Sequence, residues 1–391
     1  MGALSHLKVL DLSRVLAGPW AGQLLGDLGA EVVKVERPGV GDDTRGWGPP
    51  FIVDPINGTP GDAAYFLAAN RNTRSITVDI TTSAGQGIIR ALAMDSDVVI
   101  ENYKVGGLAA YGLDAATLCA LNPKLIWCSI TGFGQTGPYA ARAGYDALIQ
   151  AMGGLMSVTG GRDGEPGAGP QKVGVALIDI MTGLYASVGI LAALAHRDRT
   201  GEGQVIDVAL LDVSVATLAN QAMNYLVSGI APQRMGNAHP NIVPYQDFAT
   251  ADGAIILAVG NDVQFARAWA AFGLAPDAGL ATNAMRVARR NFVVAAIADR
   301  AVTGTTAHWI AALEAVGVPC GPINTIADVF ADRQVIAREM HRTLSHPLAG
   351  NVPTVANPLR MSATPVTYRT APPVLGEANA TLADRLRDPP A

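Results

Sequence analysis

One carboxylate stands alone in the most apolar part of the chain. Between Val173 and Ala195, Asp179 is the only charged residue. Taking an unpaired carboxylate out of water costs several kcal/mol unless hydrogen bonds, a partner or a proton compensate. Two readings account for it. Asp179 precedes a helix-like segment, and aspartate is a favoured helix cap. Alternatively, a poorly solvated carboxylate is a nucleophile able to carry an acyl group. The run is long enough to span a bilayer, but Asp179, Thr182, Gly183, Ser187 and Gly189 argue against a membrane helix. Other familiar chemistry is missing. No lysine follows a glycine, so there is no P-loop, and there is no G-x-S-x-G elbow or H-E-x-x-H pair. His341 and His346, five apart, read as surface histidines. Cys119, Cys128 and Cys320 are isolated, giving neither a disulfide framework nor a zinc site. A reducing cytoplasm is the expected setting, with no metal.

The elements that must position Asp179 alternate. Strands are predicted at 7–13, 30–36, 74–79, 97–103, 124–131 and 204–211, with helices near 19–28, 63–69, 83–94, 113–121, 145–156, 179–199 and 212–226. Such alternation predicts a parallel, doubly wound sheet, an open Rossmann-like α/β domain whose ligands bind beyond the carboxyl ends of the strands. The loops at 16–19, Arg37, 102–104 and 132–138 fall there. The first turn, Ala17 to Gly22, is not G-x-G-x-x-G, and Arg37 directly follows the would-be ribose acid Glu36. A nicotinamide dehydrogenase is therefore a distant reading. Near Gly229 the pattern changes. A loop at 234–246, a hairpin turned at Asp252 and Gly253, and helices to 316 predict a smaller α+β domain. The expected division is 1–227, 228–325 and 326–391, the last a proline-bearing extended segment returning to the first domain, its final ten or so residues loose.

The chain has 391 residues, 49% of them apolar, and a net charge of −5. That suits a soluble protein with a large core. With no basic run, nucleic acid is not an expected partner, and no membrane association is expected.

An ordered set of motifs resembles the class III CoA-transferase family, which includes formyl-CoA:oxalate CoA-transferase, carnitine CoA-transferase and α-methylacyl-CoA racemase. The set comprises residues 7–19, 28–38, 41–45, 70–76, 97–103, 131–138, 144–146, 199–204, 317–322 and 375–377, nearly the whole chain. The resemblance implies an interlocked homodimer. It implies acyl-CoA and a small carboxylic acid as substrates, and no tightly bound cofactor. It also implies that Asp179 is the nucleophile, passing through an aspartyl anhydride and an aspartyl-CoA thioester.

The resemblance places Tyr145 and Asp146 beside the thioester. Tyr145 stands where the racemase branch has its histidine, which favours transfer over racemisation; an idle CoA-binding protein is a further alternative. CoA contacts carry over to Leu16, Ala17, Arg37, Arg74, Val78, Asp79, Asn102, Tyr103, Lys104 and Arg142. Ala110 and Thr73 depart from the family's basic residues. The loop bearing Arg234, Gly236, Asn237 and His239 replaces the oxalate enzyme's tetraglycine loop and resembles that of succinyl-CoA:dicarboxylate transferases. Arg234 or His239 would there hold a distal carboxylate or simply order the loop.

Overall fold

A computed structural model of the chain describes residues 2–381. Its contacts group into two compact units. One comprises the residues up to Met156, Lys172–Ile230 and those from Gln334 onward; the other comprises Ser157–Gln171 and Ala231–Arg333. The second thus includes a segment, Ser157–Gln171, that the sequence reading kept with the first domain, and it extends to Arg333 rather than 325.

The first unit begins β1 (Lys8–Asp11), α1 (Ala17–Asp27), β2 (Glu31–Glu36), β3 (Phe51–Val53), β4 (Pro60–Ala63), α2 (Ala64–Leu67) and β5 (Thr73–Thr77). It continues with α3 (Ser83–Met94), β6 (Val98–Glu101), α4 (Ala115–Leu121), β7 (Ile126–Thr131) and α5 (Asp146–Met152). Then come α6 (Leu155–Val158), α7 (Leu177–Thr200), β8 (Val205–Ala209), α8 (Leu210–Thr217) and α9 (Ala219–Ser228). Six strands form one parallel sheet in the order β5-β2-β1-β6-β7-β8. Counted among themselves they run 3-2-1-4-5-6, the doubly wound order whose ligand crevice opens where the winding reverses. That point lies between β1 and β6.

Both sheet faces are covered, and the strands bury apolar side chains on both sides. Val9, Val98 and Ile100 pack with Ala21 and Leu25 of α1 and with Ile178, Ala186 and Ile190 of α7. Leu10, Val99 and Trp127 pack with Ile89 and Leu92 of α3 and Leu118 of α4. Each fully buried Leu or Ile contributes about 1.5–3 kcal/mol. Helix α7 is the one helix among the described residues long and apolar enough to cross a membrane by length and composition; here its inner face belongs to this core.

The second unit holds the antiparallel sheet β11-β10-β9, built from β9 (Tyr245–Ala249), β10 (Ala254–Ala258) and β11 (Cys320–Pro322). Its helices are α10 (Asp262–Ala271), α11 (Asn283–Ala288), α12 (Arg290–Ala301), α13 (Thr306–Ala315) and α14 (Ile326–Ala331). Phe265, Trp269, Phe272, Val293, Ile297 and Trp309 fill its core.

Three local expectations change. The helix expected over 145–156 breaks into α5 and α6 at Gly153 and Gly154, the latter at φ +87°. The helix expected over 212–226 is split between α8 and α9, with Ala219 at φ +44°. The C-terminal segment is not simply extended: it forms α15 (Arg333–Ala337) and a hairpin of β12 (His341–His346) with β13 (Gly350–Val355). Beyond the hairpin it does pack on the first unit. Asn357 Nδ2 donates to buried Asp27 at 2.9 Å, beside Arg71 and Asn72, which donate to the same carboxylate. Arg369 donates to the carbonyl of Gly26 in the last turn of α1 and to those of Gly29 and Ala30 just beyond it. The expectation of a loose terminus falls outside the described residues.

Candidate active site

At the reversal point the chain opens a cleft of about 160 Å³, lined by residues 14–17 after β1, 102–105 after β6, 130–132 at the end of β7, 142–145, and Asp179. A second cleft of about 400 Å³ is lined by residues 12–14, 34–37, 78–81, Tyr103 and Lys104. Arg14, Tyr103 and Lys104 border both.

Asp179 reaches the first cleft because α7 lies close against α1. A Cβ on Gly183, one turn beyond Asp179, would come within 2.7 Å of the Ala17 carbonyl oxygen and 3.0 Å of the Trp20 Cβ. Only glycine admits that approach. Asp179 is the third residue of α7, and the N-cap position is Ala176, whose side chain caps nothing. The capping reading of Asp179 is therefore wrong, and Asp146 takes that role from outside the helix. Its Oδ1 accepts the N–H of Ile178 at 2.8 Å and that of Asp179 at 3.3 Å. Its Oδ2 accepts from Gln150 Nε2 at 2.6 Å, and Gln150 Oε1 accepts the Val173 N–H at 2.8 Å. Asp146 and Gln150, one turn apart on α5, together pin the segment leading into α7.

The Asp179 side chain is 9% exposed, and no hydrogen bond to its carboxylate is found among the described residues. Burial, and then the like charge of Asp146, push its pKa up to about 7. A carboxylate so poorly solvated is more basic and more nucleophilic than one in water. Tyr65 feels the same field: burial, then Asp179, Asp146 and Asp42, raise its pKa. Trp47 packs edge-on against it at 5.3 Å. Sequence reasoning singled out neither Tyr65 nor Gln150.

Tyr145 sits at the N-cap position of α5 and is 64% exposed. It is thus a cleft residue rather than a packed core aromatic. Gly132 and Gly144 hold it there, since a Cβ on either would come within 2.7 Å of the other's Cα. Leu16 is the N-cap residue of α1 and Ala17 its first residue, both in the cleft wall. Arg142 lies over the rings of Phe133 and Tyr139, 5.0 and 4.6 Å from their centres. Asn102 spends its amide on the β1–α1 loop, accepting the Arg14 N–H at 3.1 Å and donating to the Arg14 carbonyl at 2.7 Å. Arg37, Val78 and Asp79 line the second cleft. The Asp79 carboxylate accepts from both the N–H and the hydroxyl of Thr81. Arg74 lines neither cleft and lies within the field of Glu377.

The loop shared by the two clefts is held by a buried charge cluster that the sequence did not announce. Val15 has φ +73°, a left-handed conformation rare for a β-branched residue. Its N–H donates to both carboxylate oxygens of Asp42 at 3.2 Å. Lys34, fully buried, donates to the Ser13 carbonyl at 2.9 Å and pairs with Asp42 at 3.0 Å, with Asp11 4.0 Å away. Burial alone would lower the Lys34 pKa, but Asp42, Asp11 and Glu36 outweigh it and raise it. Glu36 is no ribose ligand. It is paired with Arg45 at 2.7 Å and accepts from Ser75 at 2.5 Å. Burial opposes its charge, but Arg45, Lys34 and Ser75 win and lower its pKa.

Arg234, Gly236, Asn237 and His239 lie in the second unit. Arg234 pairs with Asp163 through its side chain and its backbone N–H. Gly236 takes φ +59°. His239 Nδ1 accepts the Asn241 N–H at 3.0 Å, and its ring packs on Tyr245 at 5.4 Å. Burial, then Arg290, lower the His239 pKa. Both side chains order the loop. Among the described residues no group of three or more His, Cys, Asp or Glu side chains could hold a metal ion.

A desolvated carboxylate in a crevice at the strand ends suits acyl transfer, and comparison with known proteins agrees. Over 380 residues the chain is 52% identical to succinate–glutarate CoA-transferase of Agrobacterium fabrum, covering 96% of this chain and 94% of that one. It is 44% identical over 377 residues to human succinyl-CoA:glutarate CoA-transferase, covering 96% and 84%. The crystal structure of a CaiB/BaiF family protein from Brucella suis superposes with a TM-score of 0.85 at 51% identity, covering 98% of this chain and 99% of that one. The family model for CoA-transferase family III matches residues 4–379, and with it the cleft, α7 and the second unit alike; the chain belongs to that family and is a class III CoA-transferase.

Proposed function

We propose that the enzyme moves CoA from succinyl-CoA to a small dicarboxylic acid such as glutarate, with Asp179 as the covalent relay. The observation that carries the relay is the buried Asp179 carboxylate in the wall of the switch-point cleft, with no hydrogen bond to satisfy it among the described residues. The substrates named for the Agrobacterium and human relatives support the choice of donor and acceptor. An Asp179 oxygen attacks the thioester carbonyl, the C–S bond breaks, and CoA leaves as thiolate. The thiolate then attacks the aspartyl carbonyl of the mixed anhydride, releasing succinate and forming an aspartyl-CoA thioester. A glutarate carboxylate displaces CoA from Asp179, and the thiolate attacks the glutaryl carbonyl. Glutaryl-CoA forms and the Asp179 carboxylate is restored. One thioester replaces another, so no nucleotide is consumed.

In this reading CoA runs along the two clefts, with Arg37 and Lys104 offering charge to its phosphates as point cations. Tyr145 stands beside the thioester, while Asp146 holds the start of α7. The enzyme works in the cytoplasm as a homodimer. Leu226, Val227 and Ile230 at the end of α9, each more than 70% exposed, support a protein partner for that face.

The test is incubation with succinyl-CoA and a panel of mono- and dicarboxylates, with CoA esters read by mass spectrometry. Glutaryl-CoA should form, and hydroxylamine should trap a modified peptide containing Asp179. Folded Asp179→Asn enzyme that turns over normally would end the reading, and light scattering at the mass of one chain would end the dimer.

A further inference from the structure

We propose that Thr182 is a catalytic residue whose hydroxyl donates a hydrogen bond to the aspartyl carbonyl oxygen of acylated Asp179 as that oxygen takes on charge. The proposal rests on the reading of Asp179 as the covalent relay, and it supplies the donor for the steps in which Asp179 itself is attacked.

Thr182 lies three residues beyond Asp179 on α7. Residues so spaced share one helix face, with Cβ atoms about 5–6 Å apart. Helical Cα–Cβ bonds tilt towards the amino terminus, so the Thr182 side chain leans over the turn that bears Asp179. The residue is 0% exposed. A buried helical hydroxyl ordinarily rests on a carbonyl three or four residues back. The other serine and threonine of α7 do so: Ser187 donates to the Gly183 carbonyl at 2.8 Å and Thr200 to that of His196 at 3.0 Å. Thr217 of α8 and Ser228 of α9 do the same. Thr182 Oγ1 has no hydrogen-bond partner among the described residues. The Asp179 carboxylate, one turn back in the cleft wall, has none there either. An idle donor and an unsatisfied acceptor thus sit one turn apart on one helix. Leaving a hydroxyl orphaned in a core is costly, and valine would fill the same space without that cost.

Withholding the bond from the resting carboxylate serves its attack, because a hydrogen bond would stabilise the charge and weaken the nucleophile. The need changes once Asp179 is acylated. When the CoA thiolate attacks the aspartyl carbonyl of the anhydride, the C=O electron pair moves onto the aspartyl oxygen. As the pair returns, the bond to succinate breaks and succinate leaves. When a glutarate carboxylate attacks the aspartyl-CoA thioester, the same oxygen takes the pair again, and its return breaks the C–S bond and frees the thiolate. Rotation about the Asp179 side-chain bonds brings that oxygen to Thr182, which donates to it and keeps its proton throughout. In the first step, by contrast, charge collects on the succinyl carbonyl oxygen, which Thr182 does not serve. A single donor to such an oxyanion is worth roughly 100- to 1,000-fold in rate.

The experiment compares Thr182→Val, which keeps the shape, with Thr182→Ser, which keeps the hydroxyl, in the whole enzyme with succinyl-CoA and glutarate. Thr182→Val should unfold at the same urea concentration as wild type or a higher one, yet lose roughly 100-fold in kcat. Thr182→Ser should keep most of the activity. Enzyme carrying the aspartyl-CoA thioester is made with succinyl-CoA alone, freed of small molecules and mixed with glutarate, and loss of the adduct is followed by intact-mass spectrometry. That decay should slow by about the same factor in Thr182→Val and little in Thr182→Ser. Wild-type kcat and decay in Thr182→Val overturn the proposal. So does a Thr182→Ser enzyme as slow as Thr182→Val, which would make Thr182 a packing residue. A lower urea midpoint for Thr182→Val than for Thr182→Ser also overturns it, by assigning the hydroxyl to the fold. Wild-type enzyme that never carries CoA on Asp179 would instead refute the relay itself.

Discussion

Replacing Asp179 with asparagine should remove activity and stabilise the protein, and the stabilisation should depend on pH. In the folded chain Asp179 has its pKa raised from 3.8 to about 7, first by burial and then by Asp146. Below pH about 4 the group is protonated in both folded and unfolded chains and costs nothing extra. As pH rises from there towards 7, the unfolded chain gives up this proton more readily than the folded one, so stability falls. Above pH about 7 the loss is complete. At about 1.4 kcal/mol for each tenfold change in proton affinity, the rise from 3.8 to about 7 corresponds to roughly 4 kcal/mol. Water reaching the carboxylate through the cleft reduces this to about 2–4 kcal/mol. Asparagine has nearly the same shape and no charge. Urea denaturation of both proteins at pH 4.5, 6 and 8 should therefore show a gap that opens in favour of Asp179→Asn and then levels off, while CoA transfer is lost at every pH. A gap that does not change with pH would refute the argument from desolvation. No gap together with full turnover would return Asp179 to an ordinary helix residue.

Asp146→Asn keeps an acceptor for the Ile178 N–H but removes the like charge, so the acid limb of the kcat/KM profile should move to lower pH; an unmoved limb would deny the coupling. Gly183→Val should lower stability by about 1–3 kcal/mol by overpacking against Ala17 and Trp20, with kcat falling more than in a surface control, read by urea denaturation and steady-state kinetics. Lys34→Met leaves Asp42 and Asp11 buried without their cation and should cost about 3–5 kcal/mol, and at permissive temperature it should raise KM for acyl-CoA because the Val15 loop is released.

The sheet was readable because its strands are apolar runs separated by helices of ordinary spacing, and that alternation admits few topologies. Asp179 was readable because charge is conspicuous in an apolar run. Its helix-capping alternative failed for a reason no local pattern displays, since the cap is Asp146, 33 residues earlier. The cluster of Lys34, Asp11 and Asp42 escaped notice because each residue alone looks like a normal alternating strand or turn position; only the sheet brings them together. The 70–76 motif was read as part of a family signature, yet its Arg71 and Asn72 turn out to hold the C-terminal segment through Asp27. The helix at 145–156 was overrun because its apolar periodicity continues through a glycine pair that breaks it.

That bond set has a consequence for how the chain is made. The carboxylate of Asp27 and the carbonyls at and just beyond the end of α1 find their full complement of partners in Asn357 and Arg369. Those residues leave the ribosome more than 300 positions later, after the whole second unit has been synthesised. The nascent amino-terminal half can therefore form its sheet but cannot close it, and it waits through most of translation with a buried carboxylate only partly satisfied. Long-range closure of this kind is slow and leaves an aggregation-exposed interval. A stop codon before Asn357 should accordingly damage the first helix made, not merely the last segment.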